Sequence, residues 1–550
     1  MKRPKSERVE LGMEALEAIL EQARTTPLSE EQYDQLKGVL NTLARLTQEL
    51  EKKRTSIHRL RNLLFGSGTE KTQEVLKQKK HKENATSKTG ASEKGKKKKR
   101  KGHGRNGADA YKGAKRVEIA HESLRSGDPC PETDCTGKVY PLADPGMIVR
   151  IKGLPPLPAT VYELEKLRCN LCGRVFTAKS PEAIGEKKYD ETAVSMIGCL
   201  KYGAGFPFNR LEKLEENLGI PLPASTQWDL VKEACEQFEP LFDAIIDEAA
   251  QGELPHNDDT PMKILELMAE NKTPAYTEDP SKRTGIFTSG VISKCGDHLI
   301  ALFFTGRNHA GENLQAVLDK RSKERSAPIQ MCDGLSRNLP KAFETILANC
   351  LGHGRRRFVD VVENFPEEVR TVLEILAKVY KNDAAAQQEN LSPQERLIFH
   401  QQKSGPLMQE LHDWLEHQFE QKKVEPNSSL GEAISYMLKH WQALTLFLRV
   451  PGAPLDNNIC ERALKKAILH RKNSLFYKTQ NGARVGDIFM TLIHTAELAG
   501  ANAFDYLCEL QRHTRELKER PRQWMPWNYR ETLQRIAAEV HDPPERPPPG

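Results

Sequence analysis

The stretch "GIFTSGVISKCGDHLIALFFTG", residues 285–306, contains two apolar runs separated by a polar turn at Lys294 to Asp297. Both runs are rich in β-branched and aromatic residues, which favour strands over helices. The stretch therefore predicts two neighbouring strands joined by a turn. The neighbouring segments can be placed relative to this pair.

Three further segments complete a predicted sheet. The segment "LPHNDDTPMKILEL" (254–267) is strand-like, "GENLQAVLDK" (311–320) has a helical pattern, and "APIQMCDG" (327–334) reads as a strand that ends on Asp333. The order is three strands, one helix and one strand, which predicts a mixed sheet with a right-handed crossover. We expect the first and fourth strands to lie side by side.

The stretch "PLDNNICERALKKAILHRKN" (454–473) predicts a proline-led turn followed by a helix that opens with Glu461. The local interpretation is that Asp456 or an asparagine caps this helix, while Glu461 favours the helix dipole and pairs with Lys465. In that case Asn457 and Asn458 orient the turn, although contact with DNA is an alternative for both.

A second interpretation gives Glu461 a chemical role. Asp258 or Asp259 lies on the first strand and Asp333 ends the fourth, so a helix packed on the sheet can bring Glu461 to both. Three converging carboxylates suit two Mg²⁺ ions, with Mn²⁺ as a substitute, because hard cations prefer oxygen ligands. Two such metals can activate a nucleophile and stabilise the leaving oxygen of a phosphodiester.

Basic residues are clustered, although the net charge is only +6. Local clusters of Lys and Arg indicate a polyanionic partner, and we expect double-stranded DNA. A solvated basic surface is the alternative for each cluster. The DNA-binding candidates from these clusters are Lys96, Lys97, Lys98, Lys99, Arg100, Lys101, Arg356, Arg357, Arg462, Lys465, Lys466, Arg471 and Lys472.

Two pairs of closely spaced cysteines predict a structural Zn²⁺ site with four thiolate ligands, Cys130, Cys135, Cys169 and Cys172. The chain has eleven cysteines, and most are isolated in apolar segments, which fits reduced thiols in a cytosol. Metal analysis should give about one zinc per chain, lost in Cys169→Ser. Well-folded protein without zinc would contradict the prediction.

The N-terminal segment shows a leucine heptad pattern. Leu36, Leu43, Leu50, Ile57 and Leu64 recur every seven residues after a capping-box spacing at Ser29 and Gln32. Sustained heptads predict a coiled coil, so we expect a homo-oligomer formed through residues 30–64. A long helix packed on its own chain is the alternative.

Residues 207–237 have the spacing of a helix-turn-helix, with a break at Gly219 and a second helix starting near Ser225. In that motif Thr226 and Gln227 would contact DNA. An ordinary helical hairpin is the alternative.

No apolar stretch has the length of a membrane span and no signal peptide follows Met1, which predicts a soluble cytoplasmic protein without membrane contact.

Several stretches together resemble transposases of the insertion sequence 66 family. They include the two cysteine pairs and, in family order, "RLRNLLFGSGTEK" (59–71), "GHGRNGADAYKGA" (102–114), "PHNDDTPMKIL" (255–265), "CDG" (332–334), "NCLGHGRRRF" (349–358) and "PLDNNICERALKKAILHRKNSLF" (454–476). The resemblance implies a ribonuclease H-like catalytic core. It also implies an Asp-Asp-Glu triad, which falls on Asp258, Asp333 and Glu461. The family commonly has Asp-Glu-Thr where this chain has Asp258-Asp259-Thr260, so Asp259 competes with Asp258.

The implied partners are the terminal inverted repeats and the target DNA of an insertion element, within a bacterial nucleoid, with helper proteins left open. Two rival functions remain: a zinc-ribbon DNA-binding regulator without catalysis, and a ribonuclease H-like nuclease that only hydrolyses.

The predicted fold class is multidomain, α/β plus α. Its segments are N-terminal helices with the coiled coil (1–68), a basic disordered linker (69–115), a zinc-binding domain (116–180), a helix-turn-helix-like segment (181–250), the first part of the catalytic core (251–338), a helical insertion (339–449), the rest of the core with the Glu helix (450–505) and a C-terminal segment and tail (506–550).

Overall fold

The computed structural model describes residues 13–24, 26–40, 42–43, 53, 72, 123–131, 135–140, 156–168, 175–179, 187–279 and 281–541. The chain divides into two compact units, one formed by Asn84–Pro158 and the other by the rest. In the smaller unit an isolated antiparallel bridge joins Pro129 to Lys138.

The described strands of the larger unit form two sheets. A small antiparallel pair joins β1 to β2, and the main sheet has the order β5-β4-β3-β6-β7. The pairs β5-β4 and β4-β3 are antiparallel, whereas β3-β6 and β6-β7 are parallel. The strands are β1 (Lys166–Arg168), β2 (Val175–Thr177), β3 (Leu254–Pro261), β4 (Phe287–Cys295), β5 (His298–Gly306), β6 (Ile329–Cys332) and β7 (Ile346–Asn349).

Helices make up most of the remaining structure. The longest, α4, has 26 residues. The helices are α1 (Met13–Ala23), α2 (Glu191–Gly198), α3 (Phe208–Asn217), α4 (Ala224–Ala249), α5 (Leu265–Glu270), α6 (Pro274–Thr277), α7 (Ala310–Leu318), α8 (Leu351–Asp360), α9 (Pro366–Gln388), α10 (Pro393–Lys403), α11 (Gly405–Glu420), α12 (Ser429–Lys439), α13 (Trp441–Leu444), α14 (Asn458–Ser474), α15 (Gln480–Leu498), α16 (Ala503–Arg512), α17 (Thr514–Glu519) and α18 (Tyr529–His541).

The strand prediction for residues 254–334 is confirmed except in the segment 254–267, where the strand ends at Pro261 and helix α5 begins at Leu265. Strands β3, β4, β5 and β6 and helix α7 occur in the expected order, and β3 pairs in parallel with β6 through His256 and Met331. The first and fourth predicted strands are therefore neighbours in the sheet, as expected. It places the residues that follow His256 and Met331 at the same edge of the sheet.

Helix α15 covers the outer edge of β5, where the described residues contribute no further strand. Thr495 Oγ1 accepts the N–H of Ala301 at 3.1 Å and Thr491 Oγ1 accepts that of Phe303 at 3.2 Å. Asp487 accepts the N–H of Thr305 at 2.7 Å. Spacing of four residues puts these three side chains on one helix face, and they bond alternate N–H groups of the strand. The helix thereby supplies acceptors to three backbone N–H groups of this edge, which would otherwise need water.

Helix α4 packs against the sheet and α15, so it belongs to the core. Phe238 lies edge-on to Phe489 of α15 at 5.7 Å between ring centroids, and Phe242 contacts Phe304 of β5 at 6.4 Å. The predicted break at Gly219 is present, with a φ of +79°. The second helix, however, is a long core helix rather than a short exposed one.

The helical segment 339–449 needs one correction, because β7 lies within it and pairs in parallel with β6. A strand of four residues is too short to show an alternating pattern, so tertiary pairing decided its conformation. The helices that follow share one apolar core with the edge of the sheet. That core includes Met331 of β6, Ala348 of β7 and Phe358 of α8.

The described part of the heptad segment is helical over residues 30–40 and at 42–43. The predicted capping box forms: Gln32 N donates to Ser29 Oγ at 3.3 Å, and Ser29 N donates to Gln32 Oε1 at 3.1 Å. The heptad positions Leu50, Ile57 and Leu64 lie outside the described residues. None of the described helices combines the length and apolar character needed to cross a membrane.

Candidate functional site: three carboxylates at one edge of the sheet

Asp258 and Asp333 lie at the same edge of the sheet, each two residues beyond the paired His256 and Met331. Their carboxylates face a shared amide. Asn338 Nδ2 donates to Asp333 Oδ1 at 2.6 Å and lies 3.5 Å from Asp258 Oδ1. Asn338 is itself buried, and its backbone O accepts the side-chain amide of Asn257 at 2.7 Å. The two aspartates are thus held side by side.

Helix α14 brings Glu461 to this edge because Gly290 leaves room for it. Gly290 pairs with Asp258 across β3 and β4. A Cβ at this glycine would lie 3.0 Å from Leu464 Cδ2. Cys460 Sγ contacts the backbone O of Gly290 at 3.4 Å. The first turns of the helix therefore rest directly on the strand that neighbours Asp258.

Asn457 anchors the start of α14. It is fully buried, its Nδ2 donates to the backbone O of Asn257 at 3.1 Å, and its Oδ1 lies 3.0 Å from His256 Nδ1. Burial lowers the pKa of His256 to about 4, so this histidine is neutral at pH 7. The structure therefore gives Asn457 a positioning role and excludes DNA contact for its side chain. The N-cap position belongs to Asn457, whose side chain makes no capping hydrogen bond, and Asp456 Oδ1 accepts the N–H of Asn458 at 3.1 Å.

The electrostatics of Asp258 tie the three carboxylates together. Its pKa is raised to about 7, first because burial disfavours the charged form, and also because the charges of Asp333 and Glu461 repel it. A backbone N–H bond from Asp259 opposes this rise. A divalent cation between these groups would replace repulsion with attraction, and their oxygens are the ligands that Mg²⁺ prefers. The donor set therefore fits Mg²⁺.

Asp259 has different partners from Asp258. Its side chain is 1% exposed, with Oδ2 2.9 Å from His309 Nδ1 and Oδ1 3.2 Å from a guanidinium nitrogen of Arg337. Successive residues of a strand point to opposite faces, so only one of the two aspartates can face Asp333. The contacts of Asp258 with Asn338 identify it as that residue.

We expect Asp259→Asn to act on stability. Removing the charge that Arg337 and His309 contact should lower the free energy of unfolding by about 1–3 kcal/mol. The variant keeps the charges of Asp258, Asp333 and Glu461, so any chemical activity that depends on these three carboxylates should stay within about tenfold of the parent. Urea unfolding and a comparison of activity between the folded variant and the parent measure the two effects. An inactive but folded Asp259→Asn, alongside an active Asp258→Asn, would place Asp259 rather than Asp258 in the site.

Two further side chains lie beside Glu461, and the sequence did not predict either of them as a site residue. His353 Nδ1 is 3.8 Å from Glu461 Oε1, and the ligand atoms of Cys350, His353 and Glu461 all lie within 4.8 Å of one another. Cys350 lies between β7 and α8, and His353 lies in the first turn of α8. The arginines of the stretch "NCLGHGRRRF" were predicted to lie near phosphates, and its histidine contacts a carboxylate.

A family model described as "Transposase IS66 family" matches residues 187–485, more than half of the chain and all three carboxylates. The chain belongs to the IS66 transposase family. Among curated proteins it is similar to three uncharacterized proteins of Sinorhizobium fredii (strain NBRC 101917 / NGR234). The protein y4hP is 27% identical over 66% of this chain and 67% of its own length. The protein y4qI is 26% identical over 62% of each chain, and y4jD is 34% identical over 30% and 32%.

In this IS66 family member, the predicted basic residues of α8 flank the carboxylates. Arg356 and Arg357 are exposed and line a cleft together with Asp333 and His353. The guanidinium of Arg357 stacks on the ring of Tyr436 at 4.0 Å. A cationic wall next to acidic groups is an arrangement that can hold a phosphate backbone near metal ligands.

The five cations of α14 divide into two groups. Arg462, Lys465 and Lys472 are exposed, which is compatible with their predicted DNA contact. Lys466 instead pairs with Glu497 at 2.7 Å and is 19% exposed. Arg471 donates to Thr260 Oγ1 at 3.1 Å and to the backbone O of Pro261. These internal contacts give Lys466 and Arg471 structural partners, which weakens their prediction as DNA contacts.

The prediction for Gln227 is wrong. Its side chain is fully buried, and its Nε2 donates to the backbone O of Phe208 at 3.1 Å and of Leu222 at 3.0 Å. The side chain joins α4 to α3, because a buried amide must find partners inside the protein. Thr226 is partly exposed, so its DNA contact remains a prediction.

Several predicted site residues lie outside the described residues: Lys96, Lys97, Lys98, Lys99, Arg100, Lys101, Cys169 and Cys172. Cys130 and Cys135 are described, and both are free thiols. Cys130 N donates to Gly137 O at 2.9 Å, two residues beyond Cys135. This backbone hydrogen bond is compatible with a zinc knuckle.

A Ser-His-Asp arrangement occurs far from the carboxylates in sequence. His400 lies 3.0 Å from Ser404 Oγ and 3.2 Å from Asp383 Oδ1, and Arg396 also binds this carboxylate. Ser404 is 0% exposed, so a substrate cannot reach its hydroxyl. The three residues form a buried polar network between α9 and α10 rather than a nucleophilic site.

Proposed function

We propose that this chain is a DNA transposase that cuts and joins DNA at the ends of its insertion element. The observation that carries the proposal is the convergence of Asp258, Asp333 and Glu461, from three separate parts of an IS66 family chain, at one edge of the sheet. The order of three antiparallel and two parallel strands supports the ribonuclease H-like core that the resemblance implies.

The three carboxylates would hold two Mg²⁺ ions, or Mn²⁺ in their place. When bound, these ions supply activation of the attacking oxygen and charge stabilisation of the leaving oxygen. In the first reaction, water attacks a phosphodiester and displaces the 3′-oxygen of the element end. In the second, the resulting 3′-hydroxyl attacks target DNA and displaces a 3′-oxygen there. Both are in-line phosphoryl transfers that depend mainly on positioning.

The protein residues contribute position and charge. Asn338 holds Asp258 and Asp333 at a fixed separation, and Asn457 fixes the start of the helix that carries Glu461. The exposed cations Arg356, Arg357 and Lys465 would bind the DNA backbone around the carboxylates. This combination aligns a phosphodiester without a covalent intermediate on the enzyme.

Self-association through residues 30–64 is part of the proposal. Leu40 and Leu43 are 57% and 61% exposed in a single chain, on the described part of the heptad helix. Exposed leucines at helical spacing favour a partner helix. An assembly of two or more chains would let the enzyme hold both ends of the element.

The test is an assay with duplex DNA taken from the borders of the gene, labelled at one end, plus supercoiled plasmid as target. With Mg²⁺ we expect strand cleavage at the element end and joined products in the plasmid; chelation of the metal should abolish both. Binding without cleavage would support the regulator, and cleavage without joined products would support the hydrolytic nuclease. Either result would contradict the transposase proposal.

A further inference from the structure

Helix α14 ends in a strained turn centred on Leu475. This residue has a φ of +71° and a ψ of −43°, and Phe476 N donates to Ser474 O at 2.9 Å. A hydrogen bond from residue i+2 back to residue i, with positive φ at the centre, is the rare and strained form of the γ-turn. Helices usually end with glycine at a positive φ, because a side chain there costs free energy.

Surrounding contacts hold this turn in place. The buried Lys201 donates from Nζ to Ser474 Oγ at 2.9 Å, and Asn473 Nδ2 donates to Gly205 O at 3.1 Å. On the other side, Tyr477 N donates to Lys263 O at 2.9 Å. The strained conformation is therefore fixed from both directions, a condition under which strain persists at functional positions.

The turn directs apolar side chains outward. Leu475 is 61% exposed and the adjacent Phe476 is 37% exposed. A leucine that is both strained and exposed contributes little to folding, because it buries little surface in return. Glycine would adopt this backbone conformation at a lower cost in free energy. We therefore infer that the leucine side chain contacts another molecule.

The charges around the turn favour DNA as the molecule that Leu475 contacts. Lys472 and Lys478 flank the turn in sequence, and both are exposed. Glu461, Lys465 and Lys472 are spaced i, i+4 and i+11, so one helix face leads from the proposed catalytic carboxylate to the turn. The nearby Glu266 carboxylate already accepts the N–H of Gln480 at 2.7 Å. Proteins that kink DNA insert apolar side chains between base steps, and the lysines on either side of this turn can hold the phosphate backbone.

We propose that Leu475, with Phe476 beside it, inserts between two base pairs of the DNA held on this face. The inference rests on the proposed transposase function. Leu475 follows Glu461 by fourteen positions, a helical rise of about 21 Å. For DNA that runs along the helix axis at about 3.4 Å per base pair, the opened step lies about six base pairs from the cleaved phosphate. Unstacking at that step would fix the register of the element end relative to the carboxylates.

The experiment uses the full chain and duplexes from the element end, with 2-aminopurine placed in turn at each position near the cleavage site. Wild-type protein should raise the fluorescence severalfold at one or two adjacent positions, because an unstacked base is no longer quenched. Leu475→Gly removes the side chain and suits the positive φ. It should lose the signal while its melting temperature stays the same or rises. Leu475→Met is the matched control and should retain the signal.

Affinity and mass distinguish the alternatives. Leu475→Gly should keep its affinity for the duplex within about tenfold, because phosphate contacts dominate binding. If wild-type protein binds and cleaves DNA but the fluorescence rises at no position, or if it rises equally with Leu475→Gly, the insertion of Leu475 is wrong and the transposase proposal stands. If wild-type protein neither binds nor cleaves, both fail. A lower mass of Leu475→Gly in light scattering would mean that Leu475 contacts a second copy of the chain, which would overturn its insertion into DNA.

Discussion

Glu461→Gln should reduce both DNA cleavage and strand transfer by several orders of magnitude, with folding and DNA binding preserved. The glutamine keeps the shape and the start of α14 but removes one metal-binding charge. The Glu461 side chain is partly exposed, and His353 Nδ1 lies 3.8 Å from it, so the free energy of unfolding should change by well under 1 kcal/mol. Labelled element-end DNA with saturating protein and Mg²⁺ measures the chemical step.

Lys465→Ala is the matched control on the same helix. Lys465 is exposed, so its loss should weaken DNA binding and lower the salt slope by about one phosphate contact. The rate at saturating DNA should change little. Lys466, which the sequence alone would offer equally, is a poorer control because it pairs with Glu497. Full activity in Glu461→Gln would return Glu461 to a purely local role at the helix start.

The sequence predicted β4 and β5 because each has nine residues and forms an apolar run beside a turn. Strand β6 has only four residues and was predicted from the segment that leads into Asp333, so order and adjacency followed from connection rules. The short strand β7 carried no such pattern. Thr491 and Thr495 of α15 also look unremarkable in sequence, since their role depends on the edge of β5 lying against them.

The three carboxylates of the candidate site could be predicted from the sequence, whereas the residues that contact and position them could not. Asp258, Asp333 and Glu461 follow from topology and from the family resemblance. Asn338 and His353 do not, because an amide or imidazole reaches a site through folding over long sequence distances. Gln227 shows the reverse error: a polar residue at a helix start looked exposed, whereas the fold buries it between two helices.

Gly290→Val should lower the cleavage rate by about 10²-fold at saturating DNA and metal, although no proposed metal ligand changes. The added carbons would meet Leu464, since even a Cβ at position 290 would lie 3.0 Å from Leu464 Cδ2. Helix α14 must then move away from the sheet and take Glu461 with it. A displacement of about 1 Å between reacting groups can cost about 10²-fold in rate. Overpacking should also lower the free energy of unfolding by about 1–3 kcal/mol.

The double variant Gly290→Val with Leu464→Ala separates displacement from any other effect of losing the glycine. Valine adds three carbons to the strand and alanine removes three from the facing helix, so the total volume is conserved. Leu464→Ala alone should leave a cavity and lower the free energy of unfolding by about 2–5 kcal/mol. Combined, the two changes should be less harmful than their sum, because they share one contact. Recovery of the cleavage rate together with stability would mean that the close approach of α14 to β4 places Glu461. A fully active Gly290→Val would mean that the carboxylates reach their working positions by another route.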